Sequence, residues 1–121
     1  QGKYSGLGNT AVTFFLTVLG AGVNAYDPLT YKQMTGDFHY YKRLYAESPE
    51  DERRRIELYH PMIRRAGAIE ANIKRVNSLR TMLKKIEANG GDATAIRNAI
   101  ERQQKVVINL ISGAPNPSQV D

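Results

Sequence analysis

The sequence predicts an all-α protein, and three observations carry that prediction. Apolar residues recur at helical spacing in the C-terminal half, with Met62, Ile69, Val76 and Leu83 seven residues apart. Helix starts and stops flank the periodic runs: Asp37, Ser48-Pro49 and Asp92 before them, Asn89-Gly90-Gly91 and Gly113 with Pro115 after them. No stretch alternates apolar and polar residues between turn signals, as a half-buried strand would. The expected order is an apolar N-terminal helix, a short aromatic helix, a Pro-kinked long helix and a C-terminal antiparallel helical hairpin. Residues 1–36 form the apolar helix plus connector. Residues 37–121 form the helical region, whose hairpin arms are 62–88 and 92–112 and whose tail is polar.

The first element is the apolar run Ala11 to Val23. It lies in a stretch without a charge between Lys3 and Asp27. A spanning helix needs about 20 apolar residues, so the run is short for a membrane and suits a helix buried all round by neighbours. A membrane or partner contact through Phe14, Phe15, Leu16, Val18 and Leu19 is the second reading. A secretory signal is the third, with only Lys3 as its basic start. Gly20 and Gly22 weaken the end of this helix, and Asp27-Pro28 is expected to close it.

Residues 25–36 show no sustained period and read as a connector. Asp37 then caps a short helix on which Phe38, Tyr41 and Tyr45 share one face. Such a stripe packs a core; it can also stack bases, but only Lys42 and Arg43 adjoin it as a basic groove would. Ser48 is expected to cap the next helix, with Pro49 at its first position and Asp51 completing a capping-box-like exchange. Pro61 has no amide donor and clashes with the preceding turn, so a kink or break is expected near Tyr59-His60.

After Pro61 the seam of Met62, Ile69, Ile73, Val76 and Leu83 defines the first arm. Ala93, Ile96, Ala99, Ile100, Val107, Leu110 and Ile111 give the second arm its apolar face. Only a few residues, Asn89-Gly90-Gly91, link the arms, and short links make antiparallel neighbours. Met62, Ile69, Ile73, Val76, Leu83, Ile96, Ile100, Val107 and Leu110 are the expected hairpin interface.

Composition excludes several chemistries. The chain has 121 residues, 41% hydrophobic and 24% charged, which suits one globular domain. It has no cysteine, so disulfide frameworks, thiolate metal sites and cysteine nucleophiles are absent. His39 and His60 are the only histidines, 21 residues apart with no further ligand spacing. Neither a dinucleotide or phosphate loop nor a Gly-x-Ser-x-Gly elbow occurs. Asp51, Glu52, Glu57 and Glu70 lie within helical reach of basic residues, which makes ion pairing the cheaper account of them. The sequence therefore points away from an enzyme, with no metal, no cofactor and no small-molecule substrate.

Basic pairs recur: Arg53-Arg54-Arg55, Arg64-Arg65, Lys74-Arg75 and Lys84-Lys85. Eleven residues are close to three turns, so Arg53, Arg64 and Arg75 would nearly align on a straight helix. With Arg65 and Lys74 they could contact phosphates. A solvated helical face, where basic residues must go because the other face is apolar, is the favoured reading. The stretch from Asp51 to Glu87 holds ten basic and five acidic residues, the whole net +5 of the chain.

The order of these features resembles the large polyvalent protein-associated type of domain found in very large proteins of phages and mobile elements. The likeness runs from Ala11 to Ser112. It consists of the apolar helix Ala11 to Val23, the Asp27-Pro28 turn, Phe38-His39-Tyr40-Tyr41, His60-Pro61-Met62, the long helix with Ile69-Glu70-Ala71-Asn72-Ile73-Lys74 and Leu79-Arg80-Thr81-Met82-Leu83-Lys84-Lys85-Ile86, and the closing Ala95-Ile96-Arg97-Asn98-Ala99-Ile100-Glu101-Arg102-Gln103-Gln104. The Asn89-Gly90-Gly91 loop departs from the longer acidic, proline-bearing loops of such hairpins. The resemblance implies a structural and assembly module of a phage internal virion, or ejection, protein. Such proteins stack on the portal as a core and later form a conduit for the genome across the host envelope. It implies homo-oligomers and other virion proteins as partners, and a location in the virion interior and then the host cell envelope. Gln1 in place of Met fits a piece of such a larger protein. A basic helical nucleic-acid-binding module and a membrane-associated helical adaptor are the competing expectations.

Overall fold

The computed structural model describes residues 26–113, all of whose regular elements are helices. They are α1 (Pro28–Glu47), α2 (Glu50–Tyr59), a 3-10 helix (Pro61–Arg65), α3 (Ala66–Ala88) and α4 (Thr94–Ser112). The apolar run at 11–23, with Phe14, Phe15, Leu16, Val18 and Leu19, lies outside the described residues. The chain divides into two compact units, Gln1–Arg64 and Arg65–Asp121.

In the first unit, α1 begins where the sequence expects a connector. Asp27 is extended, with φ −71° and ψ 160°, and its Oδ1 accepts the amide of Thr30 at 2.7 Å. Pro28 occupies the start of the helix. The Asp-Pro pair that reads as a stop is thus a start: proline keeps the preceding residue out of the α region, which is the backbone an N-cap needs. Thr30, Tyr31, Met34, Phe38 and Tyr41 are the buried residues of this helix, and their spacing is one continuous stripe. Asp37 is therefore mid-helix rather than a cap, and half-burial pushes its carboxyl above the usual carboxylate range.

Ser48 also reverses its expected role. Its hydroxyl donates back to the Leu44 carbonyl at 2.6 Å, and its amide donates to the Tyr45 carbonyl at 3.3 Å. It closes α1 instead of opening α2. Pro49 takes the N-cap place of α2 without a side-chain hydrogen bond, so no capping box forms. Glu50, Asp51 and Glu52 in the first turn place negative charge at the positive end of the helix dipole.

α2 runs antiparallel to α1. The Tyr45 hydroxyl donates to Glu57 Oε2 at 2.5 Å, and the His60 ring stacks on Tyr41 with centroids 3.6 Å apart. The helix ends at Tyr59, as Pro61 requires, and the His60 amide closes it on the Ile56 carbonyl at 2.7 Å. The residues after Pro61 form a 3-10 helix, so the long helix starts at Ala66 rather than Met62. Met62 is buried, but it belongs to this turn and not to an arm of the hairpin.

The second unit is the expected hairpin. Asn72 faces Gln103, Glu87 pairs with Arg97, and Arg65 donates to the Leu110 carbonyl, contacts whose order is antiparallel. Ile69, Val76, Ile100 and Val107 are buried in the seam, while Ile73, Leu83, Ile96 and Leu110 are half-buried. Ile108 and Ile111 are buried on α4 as well. The link is tightly specified. Gly91 donates to the Ile86 carbonyl and Gly90 to that of Glu87, with Gly90 left-handed at φ 71°, the pattern of a Schellman cap. Asp92 Oδ1 then accepts both the amide and the hydroxyl of Thr94, but the N-cap place of α4 falls to Ala93, whose carbonyl accepts the Arg97 amide at 2.9 Å, so Asp92 stands one residue ahead of the cap expected of it. Those two bonds, the hydroxyl's first, hold the Asp92 carboxyl below the usual range.

Two stability changes follow. Gly36 lies within α1 and a Cβ added there meets open space, so Gly36→Ala should raise unfolding free energy by up to about 1 kcal/mol in a urea titration. Ile69 is fully buried, and Ile69→Ala should lower it by about 2–5 kcal/mol.

Candidate functional site

The basic ladder depends on one straight helix, and the chain does not provide it. The break at His60 and the 3-10 helix through Arg65 separate Arg53 and Arg64 from the helix that carries Arg75. Most of the candidate phosphate ligands serve the fold. Arg53 donates from Nε to the Tyr45 carbonyl at 3.1 Å and lies over the Tyr45 ring, 5.6 Å from its centroid. Arg64 Nε is 3.8 Å from Glu57 Oε1, on the carboxylate that also accepts the Tyr45 hydroxyl. That carboxylate pushes the Tyr45 phenol above its ordinary range. Arg65 Nε donates to the Leu110 carbonyl at 2.9 Å and ties the start of α3 to the end of α4. Only Lys74 and Arg75 of the set project from α3 as exposed side chains. Lys74 and Lys85, eleven apart on that helix, do align.

The charge itself is concentrated. From Arg65 to Gly113 there are nine basic and four acidic residues, and from Tyr26 to Arg64 there are seven of each. Residues 65–113 therefore carry a net +5, equal to that of the whole chain.

The two lateral faces of the hairpin differ. A polar clamp marks one of them: Gln103 Nε2 donates to Asn72 Oδ1 at 2.7 Å, and Arg75 Nη1 donates to the same oxygen at 3.2 Å. Asn72 Nδ2 in turn donates to the Ala68 carbonyl at 2.7 Å. Helical geometry puts Leu79, Met82 and Ile86 of α3 and Ile96, Ala99 and Val106 of α4 on the side of this clamp. Five of these are half-buried, and Met82 is 48% exposed. The other face carries Arg97 paired with Glu87, and Glu70 and Glu101. Sequence reasoning names the seam but not Asn72 and Gln103. Their signal is a polar residue on each arm within the half-buried stripe of the hairpin.

The aromatic stripe is core. Phe38 and Tyr41 are almost fully enclosed, so they offer no platform for bases. His60 belongs to the same core: it is buried, stacked on Tyr41, and joins the end of α2 to the 3-10 helix through the Ile63 amide at 3.0 Å from its carbonyl. Burial alone pushes its imidazole below the ordinary value of 6.5. Among the described residues no group of three or more His, Cys, Asp or Glu could hold a metal ion, and no helix is long and apolar enough to cross a membrane.

The histidine makes a pH prediction with a definite sign. The unfolded chain binds a proton near pH 6.5 while the buried ring resists it, so stability is complete above that value and falls as pH drops below it. Asp37 acts in the opposite sense, from about its unfolded value of 3.8 upward. His60→Phe keeps a stacking ring and should remove the slope just below pH 6.5 in urea titrations; a slope that persists in this variant would refute the assignment. Comparison with known protein families, curated proteins and solved structures returns no match.

Proposed function

We propose that this chain is a structural and assembly module, of the internal virion (ejection) protein type, whose hairpin binds other polypeptide chains. The observation that carries the reading is the unequal hairpin. Two helices bury Ile69, Val76, Ile100 and Val107 between them, yet leave an apolar stripe half open along one side with Met82 48% exposed. Exposed apolar surface beside a polar rim is what a protein contact uses. No catalytic step is assigned to any residue. In this reading the chain assembles with copies of itself and with portal or core proteins inside the particle and later acts at the host envelope, with residues 14–19 as a membrane or partner contact.

A second reading has its own support, the concentration of the net charge on the hairpin unit. Such a surface can hold nucleic acid through phosphates.

One pair of experiments separates them. Cross-linking mass spectrometry on particles that carry the chain should join Lys84 and Lys85 to other virion polypeptides; particles that lack the chain, or carry it without such links, overturn the assembly reading. Lys74→Gln with Lys84→Gln and Lys85→Gln should leave duplex DNA retention and its salt dependence unchanged. A clear loss in that triple variant favours the nucleic-acid reading instead.

A further inference from the structure

The half-open side of the hairpin also has a chemical polarity, and it narrows the kind of partner that fits. Its floor is apolar where Leu79, Met82 and Ile86 from α3 face Ile96 and Ala99 from α4, and Val106 lies on the same side past the Asn72–Gln103 pair. A groove between two antiparallel helices is the seat a third helix takes in a bundle, inserting side chains at i, i+3, i+4 and i+7. The rims are basic. Arg75 and Arg102, both exposed, stand on this side, one on each helix.

The acids of the hairpin are placed elsewhere. Glu70 and Glu101 lie on the opposite face, Glu87 is engaged by Arg97, and Asp92 holds Thr94 in the link. Among the described residues the groove thus offers an apolar floor, Arg75 and Arg102 at its edges beside the Asn72–Gln103 pair, and no compensating negative charge of its own.

We propose that this groove is a docking site for an amphipathic α-helix of another polypeptide, one whose apolar stripe is flanked by Asp and Glu. The inference rests on the assembly reading and gives its partner a chemistry. A second copy docking groove to groove would bring Arg75 and Arg102 of both chains together, and like charges across an interface disfavour that pairing. Duplex DNA would meet the guanidinium groups but leave the apolar floor without a partner. An acidic-flanked helix uses both parts at once. The Asn72–Gln103–Arg75 clamp holds one rim in place before any partner arrives, which lowers the ordering cost of binding.

The test uses the full chain and a fluorescent probe peptide of about three heptads, with Leu at the stripe positions and Glu at the flanks. A counterpart with Lys at the same flanks is the control. Anisotropy should show the Glu peptide binding at least about tenfold more tightly than the Lys peptide, with the difference shrinking in high salt. Met82→Glu should weaken the Glu peptide, and Arg75→Glu with Arg102→Glu should reverse the preference. Both variants are checked for wild-type circular dichroism, since all three side chains are exposed. Amide exchange should slow at Leu79 to Ile86 and at Ile96 to Val106 on peptide addition. Equal binding of the two peptides, binding of neither, Met82-dependent dimers in sedimentation, or retention on phosphatidylserine vesicles in place of peptide binding would each overturn the proposal. If the peptide preference fails while cross-links to virion polypeptides persist, the partner chemistry is wrong and the assembly reading stands. If the preference holds while no such cross-links form, the groove assignment stands and the virion setting falls.

Discussion

Pro61 is the constraint on which the rest of this structure depends. Without it, the residues from Glu50 to Ala88 have the composition of one long helix. Proline removes one amide donor and its ring excludes the preceding turn, so α2 ends at Tyr59. His60 then leaves the helix at φ −133°, stacks on Tyr41 and accepts the amide of Ile63. The same break confines α3 to the residues after Arg65, whose guanidinium donates to the Leu110 carbonyl, and puts Arg53 and Arg75 on separate helices. One missing N–H thus sets the end of one helix, the start of another and the fate of the basic pairs.

The hairpin shows a second, quieter constraint. Two helices joined by five residues, Asn89 to Ala93, can enclose only the side chains that point directly at each other. Ile69, Val76, Ile100 and Val107 meet that condition and are shielded from water. Residues a third of a turn away remain half-covered. On the side of Asn72 and Gln103 these are aliphatic, and on the other side Glu70, Glu87, Arg97 and Glu101 accompany Ile73. An amphipathic helix pair that spreads apolar residues wider than its own seam has more apolar surface than it can bury alone, which is the physical root of the contact role assigned to it.

Charge tells the same story of division. The described part of the first unit balances its seven bases with seven acids, and Arg53 and Arg64 fold back onto carbonyls, a ring and Glu57. The hairpin unit holds the surplus. Net charge read over the whole chain hides this separation, because it sums a balanced stretch, residues 26–64, and a basic one, residues 65–113.

The amino-acid order by itself determined the helical class, the stop at Pro61, the Gly90 link, the Asp92 turn ahead of α4 and the antiparallel arms. Each of these follows from local chemistry: a missing donor, a glycine that accepts positive φ, a carboxylate near free amides, and an apolar period close to seven. Local rules failed where one motif serves two purposes. Asp27-Pro28 ends a helix or begins one according to which side packs, and the burial of Tyr31 and Met34 decides for a beginning. Ser48 can cap forward or backward, and the Leu44 carbonyl captures it. The arginine ladder needed a straight axis that only the three-dimensional path could grant or refuse. Tertiary structure also decided that His60 is a buried core residue and that Asn72 and Gln103 bind each other across the arms, because a hydrogen bond between residues 31 positions apart exists only once the seam has brought the helices together.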